Sequence, residues 1–469
     1  MKFKTNLVVG AVFVALLAFV YQYEIKGGEE RRKEAEQSKK ILDFNASEVT
    51  RLVILNNADR IEIGRKEDDW YMLAPVRDEA DSDAVDRYLR NLNEAEREKT
   101  VVDSAEALGP GVAGEYGLEA PRLGIFIETK EGPLDTLYFG ADAPTDRFTY
   151  VKKSGANSKI DVVRAWRYDN LEKKPFDLRN RKITNFSQSD ITAVRISSGE
   201  SAPLVLASVS GSWVLRSPVT VSADSDTMDA LLRNIQNAEI FEFVDEDLEF
   251  EDLEQYGLAE GQFLSLTLVS KEINSEDNLF MGSEDQIDRL YIGSRAEDGR
   301  YFARNPERNP VFLVDSTLVQ QLNLSTYDVR DKIPVQFSRD QVTNVQIKRD
   351  GTTSFATSKD TAGVWTIVKP TKEPAKSWKI NSLLTDLLDL KTQRFTAPRS
   401  GKPVLDIHLN GKNDLIADLK FFVEDAGIFL ELTGTSEAYQ IDADSFSDID
   451  LEIDEVRQEA TSVDTMSTR

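Results

Sequence analysis

The residues that could carry out chemistry are few, and the single histidine is the first to consider. His408 stands between Ile407 and Leu409 in an alternating segment, which predicts a strand with the histidine on the opposite, solvent-facing side. A lone imidazole could act as a general base, but no nucleophile motif accompanies it. No partner set accompanies the closely spaced serines Ser208, Ser210 and Ser212. Since nucleophile-elbow, P-loop and dinucleotide-binding patterns are also missing from the sequence, we predict no catalytic and no cofactor-binding residues.

Metal ligation has little support in the sequence either. The chain has no cysteine, which excludes disulfides and thiolate metal sites, and one histidine cannot build a histidine-rich centre. Two acidic clusters remain, namely Asp442, Asp444, Asp448 and Asp450, and Asp245, Glu246, Asp247, Glu249, Glu251 and Asp252. The first lacks the glycine and the glutamate that an EF-hand loop requires. Both are therefore predicted to be solvated acidic loops, and no metal site is predicted.

An acid–base pattern occurs twice, as Asp177 with Arg179 and as Asp328 with Arg330 and Lys332. These residues lie in the segments that end the first two repeats described below, and we call 176–186 and 327–337 the closing segments. Such a pair could form a ligand clamp. We favour a structural role, in which the aspartate and the arginine satisfy each other and the local backbone at a junction.

Length and charge limit the classes of protein that fit. A chain of 469 residues suits about three domains of ordinary size, and a hydrophobic fraction of 40% is enough for real cores. The net charge of −25 argues against a nucleic-acid binder, which needs a basic surface to replace phosphate counterions. An acidic, solvated surface is the favoured explanation, and binding of a basic partner is the alternative.

The N-terminal sequence predicts that the chain is exported across a membrane. Lys2 and Lys4 precede an apolar run over 7–20, which tyrosines at 21 and 23 extend into an interfacial belt. We favour an uncleaved transmembrane anchor with a cytoplasmic N-terminus over a cleavable signal peptide, because the run ends without a small-x-small cleavage site. Residues 24–44 are predicted to be a charged linker.

One structural unit occurs three times in the sequence. Trp70, Trp213 and Trp365 are each followed by a proline five residues later, and an apolar helical stripe begins fifteen residues after each tryptophan. Residues 79–92 and 222–235 share eight of fourteen identities, which indicates an internal repeat. The tryptophans could line carbohydrate or peptide sites, but their constant place before a helix favours a role in the cores.

Alternating apolar residues around this signature predict strands, and the helical stripe predicts one main amphipathic helix per repeat. We expect an α+β fold of three tandem repeats, each an antiparallel sheet with the helix across one face, preceded by one transmembrane helix. The Tyr-Gly-Leu sequences at 116–118 and 256–258 are predicted to be structural turns.

The predicted domains follow from these repeats. They are a transmembrane signal-anchor (1–23), a charged linker (24–44), repeat one (45–187), repeat two (188–338), repeat three (339–455) and a disordered tail (456–469). Repeat three is predicted to be shortened, because it shows no Tyr-Gly-Leu sequence and no Asp-x-Arg closing segment.

The order of these motifs resembles the domain of unknown function 4340 family. The resemblance rests on Trp-x4-Pro, Ala-Asp-Ser, the amphipathic helix, Tyr-Gly-Leu and Asp-Leu-Arg-x-x-x-Ile; it is clearest over 70–186, good over 213–337 and weak after Trp365. It implies a bacterial, membrane-anchored, extracytoplasmic protein associated with ABC transporter subunits of the gliding-motility type. It implies no active-site residues and no cofactor.

The expected function is therefore a non-catalytic scaffold or accessory component of an envelope ABC-transporter-type complex. The expected location is the bacterial inner membrane, with a single span and most of the chain in the periplasm, and the expected partners are the membrane and envelope proteins. A periplasmic binding module for a glycan, peptide or lipid, in a groove between repeats, is the alternative, and a hydrolase is less favoured.

The export prediction can be tested by fusing a reporter enzyme that is active only outside the cytoplasm after Lys40. We expect an active fusion, because the basic flank should stay in the cytoplasm while the apolar run crosses the membrane. The same reporter fused after Lys4 is the control and should be inactive. An inactive fusion after Lys40 would overturn the predicted topology.

Overall fold

In the computed structural model, the described residues are 21, 37–57, 59–103, 111–145, 147–155, 159–199, 202–246, 250–270, 287–412 and 414–458. The chain divides into two compact units. The first holds Met1–Ile183, Glu239–Glu251 and Glu307–Val314, and the second holds Thr184–Ala238, Asp252–Pro306 and Asp315–Arg469. Three antiparallel sheets with associated helices occur along the chain, which confirms the predicted α+β architecture of tandem repeats.

The first sheet, in the first unit, has ten strands in the order β4-β3-β2-β1-β6-β8-β9-β10-β5, with β7 beside β6. The strands are β1 (Val49–Asn56), β2 (Arg60–Lys66), β3 (Asp69–Ala74), β4 (Asp78–Glu79), β5 (Lys99–Val102), β6 (Leu123–Thr129), β7 (Gly132–Pro133), β8 (Leu137–Asp142), β9 (Phe148–Lys153) and β10 (Ile160–Arg164). The helices are α1 (Ser82–Asn93), α2 (Val112–Glu115), α3 (Ala165–Leu171) and α4 (Pro175–Leu178), with a 3₁₀ turn at Ala46–Glu48.

The second sheet has nine strands. They are β11 (Ala193–Ser198), β12 (Leu204–Val209), β13 (Ser212–Ser217), β14 (Val221–Ser222), β15 (Glu242–Asp245), β16 (Leu264–Val269), β17 (Ile287–Arg295), β18 (Tyr301–Arg304) and β19 (Val311–Val314). Within the second unit the order is β14-β13-β12-β11-β16-β17-β18, and within the first unit β15 pairs with β19. The helices are α5 (Ser225–Asn237), α6 (Ser316–Leu322) and α7 (Thr326–Val329), with 3₁₀ segments at Gln188–Asp190 and Phe250–Tyr256.

The third sheet, in the second unit, has nine strands in the order β23-β22-β21-β20-β25-β26-β27-β28-β24. They are β20 (Asn344–Arg349), β21 (Thr352–Lys359), β22 (Trp365–Lys369), β23 (Glu373–Pro374), β24 (Arg394–Thr396), β25 (Leu405–Asn410), β26 (Leu415–Glu424), β27 (Gly427–Leu432) and β28 (Ala438–Ile441). The helices are α8 (Ser377–Leu388), α9 (Ala443–Ile449) and α10 (Ile453–Val456).

Two of the three main helices begin with an aspartate cap. Asp81 precedes α1 and its carboxylate accepts a hydrogen bond from the Ala84 amide at 2.9 Å, while Asp224 accepts one from the Thr227 amide at 2.8 Å. Each bond satisfies an amide that the first helical turn leaves without a partner. The preceding strands β3, β13 and β22 end directly before the three prolines, as proline cannot donate to a ladder. The peptide bond before each of these prolines is cis.

The helical stripes are buried, as predicted. Four residues of each main helix are buried: Val85, Tyr88, Leu89 and Leu92 in α1, Met228, Leu231, Leu232 and Ile235 in α5, and Ile380, Leu383, Leu384 and Leu387 in α8. In the first and third repeats they join one hydrophobic core with the sheet and with the tryptophan. Trp70 and Trp365 are 1% and 0% exposed, which confirms their core role.

The Tyr-Gly-Leu turns have a steric reason. Gly117 and Gly257 have φ of 68° and 67°, a left-handed conformation that other residues adopt only with strain. Two glycines inside the facing strands β8 and β17 are equally constrained, since a Cβ at Gly140 or at Gly293 would lie 2.2 Å from the carbonyl oxygen of Tyr116 or Tyr256. The structural prediction for these turns is therefore confirmed.

The expectation that repeat three loses its closing segment is wrong. Helix α10 takes the place of α4 and α7, and Arg457 after it forms a bridge to Ala375, as Arg179 does to Ala80 and Arg330 to Ala223. The segment escaped notice because Glu455 replaces the aspartate of the other copies. The third sheet also keeps nine strands.

In the described part of the chain, no helix combines the length and apolar character needed to cross a membrane. The predicted signal-anchor lies outside the described residues except for Tyr21, and so do 24–36 of the predicted linker and 459–469 of the predicted tail.

The core role of the tryptophan can be tested in repeat three. We expect Trp365→Ala to destabilise this repeat by about 3–5 kcal/mol, because it removes a fully buried ring and leaves a cavity. The matched control is Trp378→Ala, which removes a ring that is 67% exposed and should cost less than about 0.5 kcal/mol. Hydrogen–deuterium exchange of peptides from β22 and α8 measures the difference, and equal protection in both variants would contradict the core role.

Candidate functional site

The two aspartates of the closing segments bind the backbone and do not pair with the arginines that follow them. The Asp177 carboxylate accepts from the Lys174 amide at 2.8 Å, and that of Asp328 accepts from the Ser325 amide at 2.7 Å. The backbone role is thus confirmed, and the expected pairing of aspartate with arginine is wrong. The reason is that each aspartate carboxylate binds the backbone amide at the start of its own short helix, in a capping box.

Arg179 is instead the centre of a buried cluster in the first unit. Its side chain is only 4% exposed. The guanidinium lies 3.4 Å from the centroid of the Phe243 ring and donates to Glu246 Oε2 at 2.8 Å and to Asp78 Oδ2 at 2.6 Å. A buried cation of this kind requires such partners, because an unpaired one would lose its solvation without compensation. The cluster therefore holds β15 and the loop after it against the first closing segment.

A second arginine shares one carboxylate of this cluster. Arg308 donates to Asp78 Oδ2 at 2.7 Å, and the Asp78 side chain is 8% exposed. Burial alone would raise the pKa of Asp78, but the hydrogen bonds and positive charges of Arg308 and Arg179 lower this pKa below its ordinary value of 3.8. Asp78 therefore stays ionised and balances part of the charge of the two guanidinium groups.

The same arrangement occurs at the second closing segment, in the second unit. Arg330 is 9% exposed, its guanidinium lies 3.4 Å from the centroid of the Phe395 ring, and it donates to Glu437 Oε1 at 2.5 Å. Lys332 lies 5.0 Å from the centroid of the Tyr327 ring and donates to the Asp328 carbonyl at 2.9 Å. In both closing segments, the buried arginine therefore stacks on an aromatic ring and donates to a carboxylate.

Sequence reasoning missed the partners of these arginines. Glu246 was predicted to lie in a solvated acidic loop, but its carboxylate pairs with Arg179. The sequence did contain a signal for the aromatic partner. Phe243 and Phe395 each stand eight positions after the last buried residue of the main helix in their own repeat, and repeat one has Thr100 at the equivalent position. The other acidic cluster serves local structure, since Asp442 caps α9 and Asp450 lies 2.5 Å from Arg349. Among the residues that the structure describes, no group of acidic or histidine side chains could hold a metal ion.

His408 lies on the face of its strand opposite to the buried Ile407 and Leu409, as predicted, but it is only partly open to solvent. Its Nδ1 lies 2.8 Å from Asp418 Oδ1, and the two side chains are 19% and 14% exposed. Burial raises the pKa of the neighbouring Asp406 above its ordinary value, against the opposing effect of His408. The predicted serine candidates belong to a different part of the fold, with Ser208 on β12 and Ser212 on β13.

Trp213 differs from the other two tryptophans. It is 9% exposed and lines an open cavity of about 550 Å³ within the second unit. Its lining comes from repeat two and from Ser187, the last residue predicted for repeat one, whereas the alternative function would place a ligand groove between repeats.

A family model described as a domain of unknown function, DUF4340, matches residues 70–249 and again residues 213–406. The chain belongs to the DUF4340 family. The two matches begin at Trp70 and Trp213, so each starts at the tryptophan that opens the repeated signature. The DUF4340 pattern is thus present at least twice in the chain, in agreement with the repeated sheets.

No curated protein matches this DUF4340 chain. Solved structures with a distant similarity include a DNA polymerase sliding clamp from Pseudomonas aeruginosa, at 6% identity over 87% of this chain and 94% of the clamp, with a TM-score of 0.15. A second sliding clamp from the same organism, bound to griselimycin, has 6% identity over 86% and 94% of the two chains and a TM-score of 0.11. Scores this low support no inference about fold or function.

The Asp78 cluster predicts a dependence of stability on pH. Because the pKa of Asp78 is lowered in the folded state, its contribution is present above the ordinary value of 3.8 and is lost as the pH falls through the lowered pKa. We expect Asp78→Asn to destabilise the first unit at neutral pH, and we expect the difference from the wild type to shrink below pH 3.8.

Hydrogen exchange of peptides from β4 and β15, followed from neutral to acidic pH, measures this difference. Asp169→Asn, which changes an exposed carboxylate on α3, is the control and should show no such trend. A wild-type advantage over Asp78→Asn that stayed constant into acid would contradict the assignment.

Proposed function

We propose that this chain is a non-catalytic scaffold or accessory component of an ABC-transporter-type complex in the bacterial envelope. In this proposal the N-terminal run anchors it in the inner membrane and the three sheets lie outside the cytoplasm. Membership of the DUF4340 family and the predicted export signal are compatible with this role, and the chemistry-bearing residues described above act mainly in capping and in ion pairs.

The observation that carries the proposal is Arg457. It follows α10 as Arg179 follows α4 and Arg330 follows α7, and it pairs with Glu373 at 2.8 Å and with Asp454 at 2.6 Å. In the described part of the chain it has no aromatic ring against its guanidinium, and its side chain is 40% exposed, compared with 4% and 9% for the other two. The third closing segment thus carries the same arginine, paired with two carboxylates but without the aromatic ring that covers the first two.

This difference favours a protein partner at the third closing segment. A partner with an aromatic side chain and a carboxylate on one short strand could cover Arg457 as Phe243 and Glu246 cover Arg179. Stacking on a guanidinium and a charge-assisted hydrogen bond are strong contributors when both become desolvated at an interface. We therefore propose that Arg457 lies at the surface where an envelope subunit docks.

The proposal can be tested by affinity purification of the full-length chain from crosslinked membranes. We expect wild type to recover ABC transporter subunits and Arg457→Ala to recover them less, by about tenfold if the stack and ion pair contribute as a typical interface hot spot. The matched control is Arg164→Ala, which removes a surface arginine that is 57% exposed and paired with Glu98. This control should recover the same subunits as wild type.

Two results would contradict the proposal at different points. Recovery of no transporter subunit by the wild type would overturn the scaffold role. Equal recovery by wild type and Arg457→Ala would keep a scaffold but overturn the third closing segment as its docking surface.

A further inference from the structure

The indole nitrogen of repeat two lacks the hydrogen bond that its counterparts make. Trp70 Nε1 donates to Asp86 and Trp365 Nε1 donates to Asn381, each at 3.1 Å and each across sixteen positions of sequence. Asp229 stands at the same spacing after Trp213. In the described part of the chain, however, Trp213 Nε1 has no acceptor, and Asp229 accepts instead from Gln188 Nε2 at 3.4 Å.

The ring of Trp213 also lacks a cation that covers the other two rings. The Arg65 guanidinium lies 5.2 Å from the centroid of the Trp70 ring, and the Lys359 ammonium lies 5.7 Å from that of Trp365. Each cation is the direct partner of its tryptophan in the antiparallel ladder. In repeats one and three, a cationic side chain from the neighbouring strand therefore lies over the tryptophan ring.

Ser208 occupies the corresponding ladder position in repeat two. A serine side chain is too short to reach over the ring and carries no charge, and the open cavity of about 550 Å³ lies here, lined by Trp213, Ser208, Asp229, Gln188, Gln236 and Leu232. Asp229 is exposed and forms no ion pair among the described residues. An aromatic ring and a carboxylate thus line the same cavity. Among the described residues, no cation lies over the ring or pairs with the carboxylate.

We propose that this cavity binds an organic cation, an alkylammonium or guanidinium group, in the place over Trp213 that Arg65 and Lys359 fill in the other repeats. The indole supplies cation–π attraction, and the Asp229 carboxylate supplies the countercharge. The amides of Gln188 and Gln236 and the Ser208 hydroxyl line the rest of the cavity and can accept hydrogen bonds from the cation. This inference does not depend on the proposed scaffold role.

The experiment follows the indole resonances of the full chain, labelled with ¹⁵N-tryptophan, during titration with choline and with arginine. The chain has five tryptophans, and Trp213→Phe assigns the relevant signal. We expect the Trp213 signal to shift with either cation while the signals of Trp70 and Trp365 stay in place. The neutral carbon isostere of choline should bind at least about tenfold more weakly, because it keeps the shape and loses the charge.

Two variants test the geometry. Ser208→Arg restores an internal cation at the ladder position of Arg65 and should abolish the response, whereas Val209→Arg adds the same charge on the neighbouring residue, which is 41% exposed, and should leave the response intact. Asp229→Asn should weaken binding by about tenfold through loss of the countercharge. Hydrogen exchange of peptides from α5, at the wild-type level, shows that repeat two of each variant is folded.

The source of the cation is distinguished by two further probes. Cosedimentation with phosphatidylcholine vesicles that Ser208→Arg abolishes would assign a lipid headgroup, and a response to a lysine-containing peptide without vesicle binding would assign a protein side chain. Absence of any shift at Trp213 with choline and arginine would overturn the proposal. Equal binding of the neutral isostere, or an undiminished response in Ser208→Arg, would also overturn it.

Discussion

Each sheet of this protein has one apolar face that must be covered, and a single amphipathic helix does so in every repeat. The four buried residues of α1, α5 and α8 pack against the sheet, and the tryptophan at the start of the preceding strand fixes the helix from one side. Because side chains in such a core interdigitate, the spacing between tryptophan, proline and helix cannot drift without opening a cavity. This constraint explains why the signature persists in repeat three, where the Tyr-Gly-Leu turn is absent from the sequence.

The closing segments add a second constraint, which concerns charge. Arg179 and Arg330 are almost completely buried, so each guanidinium needs a ring and at least one carboxylate to replace its lost hydration. Their partners come from residues that follow the next main helix in the sequence, at Phe243 and Phe395. The backbone bridge of each arginine to its own repeat holds the guanidinium in position for these contacts.

Copies of one unit are informative where they differ. The core positions are nearly constant, whereas the residue opposite the tryptophan changes from Arg65 to Ser208 to Lys359. The residue at this position is partly exposed in all three repeats, so the change from a long cation to a serine falls outside the fully buried core. Repeat two has in this way kept the fold and has a cavity at this position. Arg457 in repeat three keeps the backbone bridge and the ion pairs of a closing segment without the aromatic ring.

The sequence alone determined the features that depend on local spacing. Strand alternation, the helical stripes, the caps at Asp81 and Asp224 and the glycine turns all follow from neighbours a few residues apart, and the structure agrees with them. The tertiary structure alone decided which side chains meet over long separations. It pairs Arg308 with Asp78 across 230 positions, and it pairs Glu246, which was predicted to be a solvated loop residue, with the buried Arg179. It also reveals a third closing segment whose aspartate has become Glu455. Such pairings depend on strand order and on which face of the sheet a residue occupies, and linear spacing does not encode either. The strand register likewise shows that Ser208 stands opposite Trp213 at the position that Arg65 and Lys359 occupy in the other repeats.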